Sequence, residues 1–90
     1  MTIMSFEEIK SYPPESTVYV ETKQTLRPAF FHGVITRPDW CCKPENKYAV
    51  HMMTAAKLAK FWEMRLYNKT WRLWKDRPTR EERLESKWMA

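Results

Sequence analysis

The chain has 90 residues and a formal net charge of +5, with 43% hydrophobic and 30% charged residues. That is the composition of one soluble globular domain spanning 1–90, with no room for a second. Gly33 is the only glycine, which excludes glycine-rich phosphate loops. No apolar run approaches the ~20 residues of a membrane-spanning helix. The N-terminus carries no basic-then-apolar export signal, and Met4 offers a second possible start. A cytoplasmic setting without membrane partners is therefore expected.

In chain order, Ser5 and Glu8 form a capping box that opens a short helix over about 6–12, stopped by Pro13-Pro14. Phe6 and Ile9, three apart, share one face and can dock on a sheet. Thr17–Thr22 alternates and is β-branched, which predicts a strand with Val18 and Val20 inward. A turn over 22–25 leads to a second strand, Leu26–Thr36, where Pro28 and Gly33 call for an edge position or a bulge. Arg37–Asn46 reads as a loop holding Trp40, Cys41 and Cys42.

Lys47–Met53 alternates again. This third strand sends Tyr48, Val50 and Met52 one way and Ala49, His51 and Met53 the other. Thr54 is expected to cap a helix from Ala55 to about Leu66, on the spacing of Leu58, Phe61, Trp62 and Arg65. Asn68-Lys69 is a turn, with Asn68 suited to the left-handed conformation. Thr70–Trp74 is a fourth strand, with Trp71 and Leu73 on one face and Arg72 and Trp74 on the other. A second capping box, Thr79 with Glu82, opens a helix to about Glu85, and Trp88 packs back as an anchor. The sum is an α+β fold: a small, curved, mostly antiparallel sheet of four to five strands, a half-open barrel with short flanking helices.

No catalytic constellation emerges, and an enzyme is not the expected reading. His32 could act as base to Cys41 or Cys42, but the spacing does not demand it. The same residues with His51 lack CxxC or HxxxH spacing, so neither a metal nor another cofactor is expected. Two thiols without an export signal read as reduced. Glu81, Glu82 and Glu85 serve a helix N-terminus and solubility.

Charge and aromatics coincide at the C-terminal end. Residues 1–54 hold six basic and six acidic residues, whereas residues 55–90 hold ten and five, together with four of the five tryptophans. Basic residues among aromatics suit a flat anionic ligand. The candidate binding residues are Arg72, Trp74, Lys69 and Tyr67, with Arg65 and Trp40 closing over the other side. The competing reading makes Trp71, Trp74 and Trp88 core, with Arg72 lying across them as a cation–π lid. Two stacked bases at ~1–3 kcal/mol each and two charge-assisted bonds at ~1.5–3 each fall near or short of the roughly 12 kcal/mol of nanomolar binding. A tight nucleotide sink therefore implies an enclosed pocket shared within a homo-oligomer.

The run Tyr67-Asn68-Lys69-Thr70-Trp71-Arg72-Leu73-Trp74, followed by Arg77-Pro78-Thr79-Arg80-Glu81-Glu82-Arg83 and Lys87-Trp88, resembles the C-terminal signature of short proteins encoded by bacteriophages and prophages. Those often read Y-G-K-T-W-R-x-W, then P-T-x-E-x-R, then a terminal tryptophan. Asn68 stands here where glycine is usual, and the 55–66 segment is less typical of them. The resemblance implies an infected bacterial cytoplasm and an anti-defence role, but no particular chemistry. The expected function is sequestering a cyclic or ADP-ribose-type nucleotide signal in the aromatic and basic pocket; the alternatives are inhibiting a host defence complex such as a CRISPR effector by direct contact and, after that, regulating through nucleic-acid binding.

Overall fold

A computed structural model describes residues 3–37, 43, 47–54 and 59–89. The elements are α1 (Phe6–Ser11), β1 (Ser16–Thr22), β2 (Leu26–Thr36), β3 (Tyr48–Thr54), β4 (Ala59–Glu63), a 3-10 turn (Met64–Leu66), β5 (Trp71–Trp74) and α2 (Arg80–Glu85). The strands form one antiparallel sheet in the order β4-β3-β2-β1-β5, curled into a half-barrel. The α+β class and the half-open barrel expected from the sequence are what the chain adopts.

Both helices open as their capping boxes dictate. Ser5 Oγ accepts from the Glu8 N–H while Glu8 accepts from the Ser5 N–H; Thr79 and Glu82 repeat the arrangement. The β1–β2 turn is closed by the Thr22 N–H donating to the Thr25 carbonyl at 2.8 Å. That bond sets the alternation of the ladder. Tyr19↔Pro28 is then a pair whose backbone groups face away from each other. Pro28 therefore turns its missing donor away from β1, and β3 pairs β2 only from Ala29 onward. The proline sits where β2 is locally an edge, although β2 is a central strand over Ala29–Phe31.

The second irregularity is a bulge. The β2–β3 register shifts between Phe31 and Gly33, leaving His32 as the extra residue. Gly33 takes φ of +142°, a conformation that side chains strain.

One predicted element is corrected. The segment expected as a helix over 55–66 contains strand β4 and a single 3-10 turn, and Thr54 ends β3 rather than capping a helix; residues 55–58 lie outside the described residues. Five residues of Lys-Phe-Trp character fit either period. The unpaired backbone of β3 decides the matter, because β4 supplies its ladder from Ala49↔Glu63 to Met53↔Ala59.

The curl follows from a short connection. β4 and β5 are the two outermost strands, yet only residues 64–70 join them. The edges must approach. Trp71 Nε1 donates to the Glu63 carbonyl at 3.0 Å, and the Trp62 and Trp71 ring centres lie 5.6 Å apart. The inner face holds Val18, Val20, Ala29, Phe31, Val50, Met52, Trp71 and Leu73, with Met4 and Ile9 packed over it. The free edge of β5 is covered by the N-terminal segment, through an Ile3↔Trp74 bridge and the Met4 N–H donating to the Leu73 carbonyl at 3.0 Å.

Replacing Gly33 by Ala is expected to lower stability by about 1–3 kcal/mol, because the cost is backbone strain and not a clash. Urea unfolding checks this; an unchanged midpoint would contradict the bulge geometry.

Candidate functional site

The predicted Arg–Trp cluster forms on the outward face of β1 and β5, but α2 and Trp88 close over it. Arg72 is 0% exposed and every nitrogen of its guanidinium is engaged. Nε donates to Glu21 Oε1 at 2.6 Å, Nη1 to the Ser86 carbonyl at 3.0 Å and Nη2 to the Arg83 carbonyl at 3.2 Å. The last two bonds satisfy carbonyls at the C-terminal end of α2, which the helix itself leaves open. The group also lies over the Trp88 ring at 4.2 Å and near the Trp74 ring at 5.5 Å. Trp74 Nε1 donates to the same Glu21 oxygen at 2.8 Å, and Arg83 Nε to the other at 3.0 Å. Arg72 and Trp74, expected to bind a ligand, are instead placed out of a solvent-borne ligand's reach, at 0% and 1% exposure. The cation–π lid over the tryptophans is the arrangement found, with Trp88 anchored beneath it.

Burial alone would push the Glu21 carboxyl up. Hydrogen bonds from Arg72, Trp74 and Arg83 outweigh it and hold the group below its ordinary 4.5. No local pattern in the sequence singled out Glu21; its partner lies 51 residues away, across the Glu21↔Arg72 pairing of β1 with β5.

Tyr67 is also interior. Its hydroxyl donates to the Met4 carbonyl and accepts from the Leu73 N–H at 3.3 Å, which ties the N-terminal segment to β5. Burial pushes the phenol up to about 12. Its ring packs on Phe6 and Trp71 and lines a groove of about 380 Å³ with Ile3, Asn68 and Met89. Lys69 is exposed in the turn that Asn68 makes at φ +59°. Arg65 is exposed, and its Nε donates to Glu63 at 3.0 Å. Trp40, Cys41 and Cys42 lie outside the described residues. The five of the predicted residues that are described thus do not converge on one pocket.

On the face of the sheet opposite the core, α2 covers only the β1–β5 end. Among the described residues, neither helix covers another part of this face. Across β2, β3 and β4 the outward side chains include Phe30, Ile35, His51, Met53 and Phe61, with the buried Ala49 among them and His32 joining at the bulge. Phe30 is 48% and Phe61 56% exposed. His51 stacks between His32 (5.2 Å between centres) and Phe61 (4.8 Å, planes 14° apart). Two rings lying flat side by side cannot bring their centres that close, because a phenyl ring is itself wider. The rings therefore stand upright on the sheet and use one another's faces, presenting edges outward. Next to them Glu15, Phe30, His32 and Met53 line a depression of about 330 Å³. Glu15 is held there in a left-handed conformation (φ +64°), its N–H donating to the Phe31 carbonyl at 2.6 Å. At the other end of the face Glu63 is clamped by Arg37 at 3.3 Å and Arg65 at 3.0 Å. The centre is apolar and the margin charged. In comparisons with known proteins, no family model, no curated protein and no solved structure matches the chain.

Removing one partner of the buried pair, as in Arg72→Met, is expected to destabilise the fold by about 3–5 kcal/mol, since it leaves the Glu21 charge buried beside a single remaining cation. Because the folded carboxyl titrates below its unfolded value, its contribution is fully present above pH 4.5 and is lost as pH falls through the folded pKa. The unfolding midpoint should stay level from pH 7 to about 5 and decline below that. The decline is expected to be shallower in Glu21→Gln. Glu8, bonded to Lys75, Glu63, bonded to Arg37, and Glu82, bonded to the Thr79 N–H, are held low as well and supply the remaining slope. At the alkaline end the sign is the same as for any raised group. The contribution of Tyr67 is present below pH 10 and lost as pH rises toward 12. Tyr67→Phe should flatten that limb in chemical unfolding while lowering stability at pH 7 by about 1–3 kcal/mol through unsatisfied backbone groups.

Proposed function

We propose that this chain is a non-catalytic binding protein that attaches to the surface of another protein through the open face of β2, β3 and β4. The observation that carries the reading is the half-exposed Phe30 and Phe61 on that face, with apolar Ile35 and Met53 beside them and charges only at its margin. An apolar centre inside a polar rim is the anatomy of a protein–protein interface. Apolar residues left outside a core of this size also point to a partner. The resemblance of the C-terminal segment to phage-encoded proteins supports a host defence complex as that partner, in the cytoplasm of an infected bacterium.

Two competing functions lose support. A nucleotide sink needs free basic donors beside an open ring, whereas Arg72 and Trp74 are spent on Glu21 and α2. Single-stranded nucleic acid pairs stacking rings with a basic groove, whereas this stack covers both faces of His51 and one face each of His32 and Phe61, and carboxylates, Glu15 and Glu63, stand at its margin.

The test is a paired co-purification from infected host cells with wild type and Phe30→Asp. A host protein recovered near stoichiometrically with wild type and at least ten-fold depleted with the variant is expected, at unchanged melting temperature. A nucleotide panel is run alongside by thermal unfolding. A bound nucleotide at 100 times its dissociation constant would add ~2.7 kcal/mol of stability. Such a shift, or the absence of any protein that distinguishes wild type from Phe30→Asp, would overturn the reading.

A further inference from the structure

The two edges of the sheet are treated differently. The β5 edge is bridged by Ile3 and accepts a hydrogen bond from Met4. The β4 edge pairs with β3 on one side; Trp71 Nε1 reaches its Glu63 carbonyl, but among the described residues no strand or segment forms a ladder on its other side. An unpaired strand edge is a template for another strand. The ring stack ends on this same edge. His51 covers one face of Phe61, and the opposite face points past β4, which leaves Phe61 the most exposed large hydrophobic residue of the sheet, at 56%.

We infer that the free edge of β4 pairs antiparallel with β4 of a second copy of this chain, about a two-fold axis normal to the sheet that passes beside Phe61. This inference is independent of which partner the open face binds. The occupant follows from the strand's own sequence, Ala59-Lys60-Phe61-Trp62-Glu63. In an antiparallel pair, residues directly opposite share a face. A two-fold normal to the sheet therefore places one residue opposite its own copy. Centring on Lys60 would set two ammonium groups against each other, and centring on Glu63 two carboxylates; like charges directly opposite disfavour both. Centring on Phe61 sets ring against ring and continues the stack His32–His51–Phe61 into its mirror sequence. It also places Lys60 of each copy opposite Trp62 of the other, a cation beside an indole. Centring on Trp62 would set each Phe61 ring opposite a Glu63 carboxylate, so the register centred on Phe61 is the one that suits both the rings and the lysine.

The pairing would join two five-stranded sheets into one of ten and run the two open faces together. Five paired residues and one aromatic contact are small against the ~800 Å² per partner of a standard interface. The dimer is therefore concentration-dependent, with a dissociation constant on the order of micromolar.

Sedimentation velocity of the full chain over about 1–200 µM tests it. Wild type is expected to pass from monomer to dimer across that range. Phe61→Glu, which sets two carboxylates at the axis, should remain monomeric throughout, with circular dichroism reporting an intact fold. Lys60→Glu, on an exposed side chain, should weaken association at least ten-fold and serves if Phe61→Glu does not fold. Phe30→Asp, away from the edge, should dimerise as wild type does. A chain that stays monomeric at the highest concentration overturns the inference, and so does a dimer that persists in folded Phe61→Glu. Loss of the dimer in Phe30→Asp alone would place the contact on the open face instead and would likewise overturn it.

Discussion

A single buried carboxylate organises one side of this molecule. Glu21 lies on the outward face of β1, where the alternation of the strand would put a solvated residue. It is covered because Arg72, Trp74 and Arg83 all donate to it. Through Arg72 the same charge reaches the carbonyls that end α2 and the ring of Trp88. The C-terminal helix has no buried residue of its own and is held by these polar bonds. A buried ion pair is costly to desolvate and is a poor source of net stability, but it tolerates no half measures. Its effect here is to specify where six residues of α2 must sit.

That constraint divides the outer face in two. The β1–β5 half is closed by α2, and the β2–β4 half is left open. The opening is therefore a consequence of where the charge lies, since among the described residues one helix serves the outer face and the Glu21 cluster has claimed it. The inner face is served by α1 and the N-terminal segment, which Tyr67 ties to β5 through its hydroxyl. The apolar surface of Phe30, Ile35 and Phe61 is what remains when both helices are committed.

The sequence made the local structure legible and left the contacts between distant strands hidden. Both capping boxes, the strand bounds Leu26–Thr36, the turn at 22–25 and the left-handed Asn68 are written in neighbouring residues, and all are found. β4 was misread because five residues are too few for one periodicity to defeat another, and the deciding factor was the unpaired backbone of β3. The aromatic and basic clustering near the C-terminus was real, and the pattern put Arg72 and Trp74 on one face. It could not show that this face meets Glu21, because nothing near residue 21 announces that β5 will lie beside β1. Nor could it show which of the adjacent Phe30 and Phe31 goes inside. The register with Met52 and the bulge at His32 settle that Phe31 is buried and Phe30 is not.

The placement of β5 next to β1 also bears on how the chain is made. The contact between residues 21 and 72 closes a loop of some fifty residues, the slowest kind of contact to establish because its entropy must be met before it is rewarded. During synthesis β1, β2 and β3 can pair as they emerge, but the far edge of β1 has no neighbour until the final fifth of the chain has left the ribosome. Until then that edge is bare and the Glu21 carboxylate is hydrated, a charged residue on an unfinished edge. The charge that fixes the helix in the finished fold is thus of the kind that disfavours edge-to-edge pairing while the fifth strand is still missing.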